Sequence, residues 1–302
     1  MSLRVVAAYV VMILLWGTTW GAIKIGVSHV PAWLFALERA IAVAAVLTVA
    51  SLVLRLEFPR RRTDLFAAGI AGILNIGLTW ALIFWAEQFV PSGVVAVFGA
   101  TAPVWTAFLA HFLVKGDRLS AAKVAALALG LVGTAVLVGP PGDASGDHVI
   151  LALILLAAVM PIAWAAAAII AARRLAALSP IPVIALECWA GALVLIPFAA
   201  ADAGRPSDWS ADAVVSFLYL VIGGSCVGLV LNLWLFRRLR PTTVMLSQIL
   251  IPVQAVIIGT VALAEPVDLR MLAGALLVFA AIAVNAVAGA RTAREEPVAA
   301  AP

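Results

Sequence analysis

Apolar residues run along this chain in long blocks, each ended by a short polar or charged stretch. A helix needs about 20 mostly apolar residues to cross a bilayer. The blocks therefore predict ten transmembrane helices, at 5–24, 32–54, 65–86, 92–114, 120–139, 149–172, 180–200, 211–235, 242–263 and 268–290. The interruptions, such as FPRRRTD, VPSG, KGDRLS and PPGDASGDH, carry turn or charge signals and leave no room for a soluble domain. The opening MSLRVVAAYVVMILLWGTTWG lacks an A-x-A-like cleavage site and is expected to be retained as the first span. The tail from Arg291 is expected to be disordered.

Charge orients these spans. With the N-terminus in the cytoplasm, fifteen Lys and Arg fall on the cytoplasmic side, in loops such as Arg60–Arg62 and Arg237–Arg240. Three fall on the other side, Lys24, Arg205 and Arg270, and Arg39 alone is left within a span. That bias places both termini in the cytoplasm of a multi-pass protein of the cell (inner) membrane.

The chain also echoes itself at a spacing near 149 residues. Trp16 is matched by Trp164, PAWLFALE (31–38) by PIPVIALE (180–187), Pro91 by Pro241, and Pro103 by Pro252. Asp117 and Glu265 close the helices holding those prolines, and Ser120 and Asp268 follow as N-caps. Residues 1–142 and 143–290 thus form two repeats of five helices, followed by the tail 291–302. Five is odd, so the second repeat enters the membrane from the opposite side. Inverted repeats of this kind build secondary transporters, whose sites lie near the midplane between the halves.

Composition narrows the function classes. The 302 residues are 65% hydrophobic and 11% charged, with mean hydropathy +1.17, far from a soluble domain. The net charge of +4 sits in loop clusters and does not suggest nucleic acid. The two cysteines, Cys188 and Cys226, lie in apolar runs, and there is no CxxC metal motif. HExxH, GxSxG and Walker-type phosphate loops are all missing, so neither cofactor nor ATP is expected.

Candidate chemistry then comes from polar groups inside the spans. A charge at mid-membrane costs about 2.5–3.5 kcal/mol even on lenient scales, which favours a cavity or a partner. Glu38 and Glu187 occupy equivalent places in the two repeats, with Arg39 beside the first. Either they line a substrate path and relay charge or protons, or a Glu pairs with Arg39 as a structural bridge. Trp16 and Trp20 are four residues apart and share a helix face. With Trp80 and Trp164 they could wall a cavity for small amphipathic molecules, or simply pack. Asn75, Thr79, Thr101 and Gln248 are further binding candidates, against a role in interhelical hydrogen bonding. Trp33 and Trp209 read as interfacial anchors. Pro103 and Pro252 are candidate hinges.

The stretches LLWGTTWGAIKIG (14–26), PAWLFALERAIAVAAV (31–46) and VPSGVVAVFGATAPVWTAFLAHFLVKGDRLSAAKVAALALGLVGTAVLV (90–138) resemble the drug/metabolite transporter superfamily, in particular its EamA type. The echo RPTTVMLSQILIPVQAVIIGTVALAEPVDLRMLAGALLVFAAIAVNAV (240–287) carries the resemblance into the second half. One departure is Asp117, where family members often carry Glu. The resemblance implies a transporter or facilitator that exports amino acids or related metabolites by alternating access, with the bilayer and a small-molecule substrate as its partners. The sequence leaves the oligomeric state open, a monomer being one option. The alternatives are a membrane enzyme acting on lipid, and an accessory membrane protein without transport.

Overall fold

The computed structural model describes residues 2–90, 92–114, 119–138, 146–251, 254, 269–270, 272–274, 276–277, 279–281 and 284. All regular structure among them is helical. In chain order the helices are α1 (Leu3–His29), α2 (Ala32–Val53), α3 (Arg62–Ala86), α4 (Ser92–Gly99), α5 (Ala102–Leu113), α6 (Ala121–Val138), α7 (Asp147–Leu175), α8 (Pro180–Ala201), α9 (Ala211–Phe236) and α10 (Pro241–Ile251). Six of these, α1, α2, α3, α7, α8 and α9, are long and apolar enough to cross a membrane. A chain in hydrocarbon must satisfy its backbone internally, and helices do so within one segment.

The fourth predicted span, 92–114, is not one continuous helix. It breaks at Ala100 and Thr101, and Pro103 falls in the first turn of α5, where its missing N–H costs nothing. With 12 residues, α5 is about 18 Å long. It cannot cross a core of about 30 Å unaided. Pro161 has a similar effect in α7, where the ladder is interrupted at Val159. Pro91, Asp117, Pro252, Glu265, Asp268 and the tail lie outside the described residues.

Three long helices contain π-helical segments: Ile73–Leu78 in α3, Ala171–Leu175 in α7 and Leu220–Val227 in α9. Such segments loosen the regular ladder and free main-chain groups for other partners. The segments in α3 and α9 start 147 residues apart (220 − 73), close to the sequence repeat.

At the centre, α2 and α8 lie along one another, and α3 packs on α8. Lipid supplies no hydrophobic drive between helices, so close approach through small residues holds them. A Cβ at Gly72 would come within 2.2 Å of the Glu187 carbonyl oxygen, and one at Gly191 within 2.5 Å of Ile76 Cβ. The outward faces carry large apolar side chains such as Phe66, Phe112 and Leu193, as a lipid boundary requires.

The end of the bundle where α1 finishes is tied shut. Asp202, just past α8, is buried and accepts hydrogen bonds from the first free N–H groups of α2, Trp33 N at 2.9 Å and Leu34 N at 3.4 Å. It also accepts from Arg205 at 2.8 Å. The Asp208 amide donates to the His29 carbonyl at 3.0 Å. Beneath these ties Phe35, Phe84, Trp209 and Phe217 form a cluster with ring centroids 5.3–5.9 Å apart. The two expected anchors therefore also pack inward: Trp209 joins this cluster, and Trp33 donates its Nε1–H to the Ala81 carbonyl at 3.0 Å.

Candidate functional site

Between α1, α2, α3, α7, α8, α9 and α10 lies a cavity of about 100 Å³. Its wall is mostly aromatic and small apolar residues, with a few polar groups aimed in, the usual make-up of a small-molecule site. Of the residues picked out in the sequence, Trp16, Trp20, Arg39, Asn75, Trp80, Trp164, Glu187 and Gln248 line it.

Arg39 is 4% exposed. Its Nε and Nη2 donate to Ser225 Oγ at 3.1 and 2.9 Å. Its guanidinium carbon lies 4.0 Å from the centroid of Trp80 and 5.7 Å from that of Phe84. Neither contact supplies negative charge. Among the described residues no carboxylate comes within the 4.0 Å of an ion pair, so the expected bridge to Glu38 or Glu187 is not formed. Nη1 makes no hydrogen bond to a described residue. A cation therefore faces the cavity with donors to spare.

The α9 π segment shapes the next contact. Within it the Gly224 carbonyl accepts the Trp16 Nε1–H at 3.0 Å. Gly224 and Gly228 also make the room: a Cβ at Gly228 would sit 2.5 Å from Trp16 Nε1, and one at Gly224 2.7 Å from Thr19 Cγ2. Trp20 meets Trp164 edge-on at 6.4 Å, with Gly99 behind the pair. The Trp20 Nε1–H is buried and has no acceptor among the described residues. A buried donor of this kind is costly unless a ligand or water meets it.

Glu187 is 3% exposed and stands on the wall with Asn75. Both line the cavity, as does the nearly buried Gln248. Among the described residues no group of His, Cys, Asp and Glu could hold a metal ion.

Three sequence candidates point elsewhere. Thr79 is fully buried and donates to the Asn75 carbonyl at 2.6 Å. Thr101 donates to the Phe98 carbonyl at 2.7 Å, at the break between α4 and α5. Glu38 is half-buried off the cavity wall, and its Oε2 has no partner among the described residues. Consecutive helical residues diverge by about 100°, and here that step carries Glu38 off the wall that Arg39 lines. Thr19 and Asn232 line it without having been picked out as binding residues. Thr19 falls between the two tryptophans of α1, and Asn232 is one of several polar residues of α9, which carried no distinguishing mark.

The EamA-like transporter family model matches twice along the chain, at residues 3–139 and 151–287. The chain belongs to the EamA-like transporter family. Named relatives agree on the class. A "Probable terminal-alkyne amino-acid exporter" of Streptantibioticus cattleyicolor is 27% identical over 286 residues, covering 93% of both chains. A "Probable amino-acid metabolite efflux pump" of Salmonella typhimurium is 27% identical over 294 residues, covering 91% of this chain and 92% of that one. The inner membrane transporter YedA of Escherichia coli K12 is 28% identical over 275 residues, covering 90% and 87%. A crystal structure 22% identical in sequence superposes with a TM-score of 0.77 over 96% of this chain and 99% of the other, which shows the shared fold.

Proposed function

We propose that this protein is a secondary transporter of the inner membrane that exports amino acids or closely related carboxylates by alternating access. Its ten spans form two inverted halves with both termini in the cytoplasm. The double match of the family model and the paired π segments of α3 and α9 support the repeat. Relatives named as amino-acid exporters and efflux pumps support the substrate class.

The observation that carries the reading is Arg39: a buried guanidinium on a cavity wall, held by a hydroxyl and an aromatic face, with no carboxylate at ion-pair distance among the described residues. A substrate carboxylate supplies the missing charge, by the paired hydrogen bonds that a guanidinium offers. Trp16, Trp20, Trp80 and Trp164 receive the apolar part of the substrate, and Trp20 Nε1 offers one more donor. Glu187, beside Asn75, faces a substrate ammonium group or carries a proton, while Glu38 stays outside this set. The hinge at Pro103 is supported by the helix break in front of it.

The wall reaches Phe236, the last residue of α9, next to the basic cluster from Arg237. At the opposite end Phe84 belongs to both the wall and the sealing aromatic cluster. These two facts support an inward-facing state.

The test is counterflow in vesicles containing the purified protein, preloaded with a panel of amino acids. Saturable uptake of at least one labelled amphipathic amino acid is expected, with loss of affinity in Arg39→Gln. Absence of exchange across the panel rejects the proposal.

A further inference from the structure

Glu87 follows directly after α3 and is fully buried. Neither of its carboxylate oxygens has a hydrogen-bond partner among the described residues. Lys24 of α1 reaches the same residue, yet its ammonium donates to the Glu87 main-chain carbonyl. Lys24 and, from α2, Arg39 are the cations acting on the side chain. From α7 the nearby titratable group is His148, whose ring stacks on Phe89 at 5.5 Å. Glu87 lies one turn beyond Phe84, which belongs to the aromatic cluster sealing the His29 end.

A carboxylate sealed from water without a donor is expensive, whereas the neutral acid costs far less. A metal ion does not fit this place. Hard cations need several oxygens, and here one carboxylate stands beside an ammonium that already occupies the carbonyl. A proton needs only the carboxylate.

We propose that Glu87 is a proton-binding site linked to opening of the His29 end. With that end closed the side chain is the neutral acid. Opening admits water, the O–H bond breaks, and the proton passes to the solution on that side. The resulting carboxylate is then hydrated and paired with Lys24. Closing takes one proton back and restores the neutral form. Each opening thus moves one proton, and raising the pH favours the open state. The link to transport rests on the transporter reading; the proton site does not.

Two measurements on the full-length protein in lipid vesicles test this. Infrared difference spectra between acidic and alkaline pH read the C=O band of a protonated carboxylic acid. The wild type is expected to lose such a band as pH rises. Glu87→Gln should lack that component, Glu87→Asp should shift it, and Glu187→Gln should keep it. A component unchanged in Glu87→Gln, or unshifted in Glu87→Asp should Gln prevent folding, overturns the site. The second measurement is exchange of labelled tryptophan, with pH raised equally on both sides. The wild-type rate should climb several-fold and the Glu87→Gln rate stay flat; a slope retained in Glu87→Gln overturns the link. Failure to exchange tryptophan counts against the link and the proposed substrate, while the infrared band decides the proton site alone.

Discussion

Arg39→Met removes the guanidinium while keeping an unbranched apolar stem of similar reach. Folding then loses the stacking on Trp80 at 4.0 Å, worth about 2 kcal/mol where desolvated. It also loses the contacts to Ser225, worth roughly 1.5–3 kcal/mol for a charged donor. Against this, a buried ion carries an effective desolvation penalty of several kcal/mol, which the substitution relieves. The terms offset, and net stability should change by no more than about 2 kcal/mol in either direction. Had Arg39 been paired with a buried Glu, the same change would orphan that carboxylate and cost about 3–5 kcal/mol. Substrate binding has no such offset. Losing the charged contact to a carboxylate, about 1.5–3 kcal/mol, should weaken affinity roughly 10- to 150-fold. Thermal unfolding in detergent reads the first quantity, and concentration-dependent counterflow reads the second. A marked drop in Tm with unchanged affinity would refute the reasoning, because it is the pattern of a structural cation.

Trp20→Phe keeps an aromatic wall and deletes a donor without a described acceptor. Its Tm should hold or rise, read by thermal unfolding, while affinity, read by equilibrium binding, falls up to about 10-fold, the worth of one hydrogen bond. Gly72→Ala drives a Cβ to 2.2 Å from the Glu187 main-chain oxygen. The α3–α8 crossing must open, and thermal unfolding should show a loss of about 1–3 kcal/mol. Asp202→Asn keeps the shape but removes the charge facing the α2 N-terminus and Arg205. It should cost about 1 kcal/mol, and hydrogen exchange at Trp33 and Leu34 should speed up.

Much of the site was legible because polar groups in a bilayer are costly and therefore conspicuous. Arg39, Glu187, Asn75 and Gln248 stood out as polar residues within apolar runs, and all four line the cavity. Trp16 and Trp20 were legible from helical spacing, and Trp164 from the repeat. Adjacency misled at Glu38, where a single-residue step turns the side chain off the wall. The repeat also has limits: Glu38 and Glu187 match in sequence, yet only Glu187 reaches the cavity. Thr79 shares a helix face with Asn75, but the nearby Asn75 carbonyl takes its hydroxyl. The break before Pro103 was marked only by the proline, and the π segments by nothing in the apolar pattern. Glu87 was not picked out in the sequence; it is buried with Lys24 of α1 against its main chain, a tertiary contact that no local signal reports.

The central claim is that a substrate carboxylate fills the place facing Arg39. Its most direct test is counterflow with amino acids and their own amides, which differ only at that group. The account predicts that an exchanged amino acid loses nearly all its exchange as the amide in the wild type, and that Arg39→Met discriminates poorly between the two. Equal exchange of acid and amide by the wild type would contradict it.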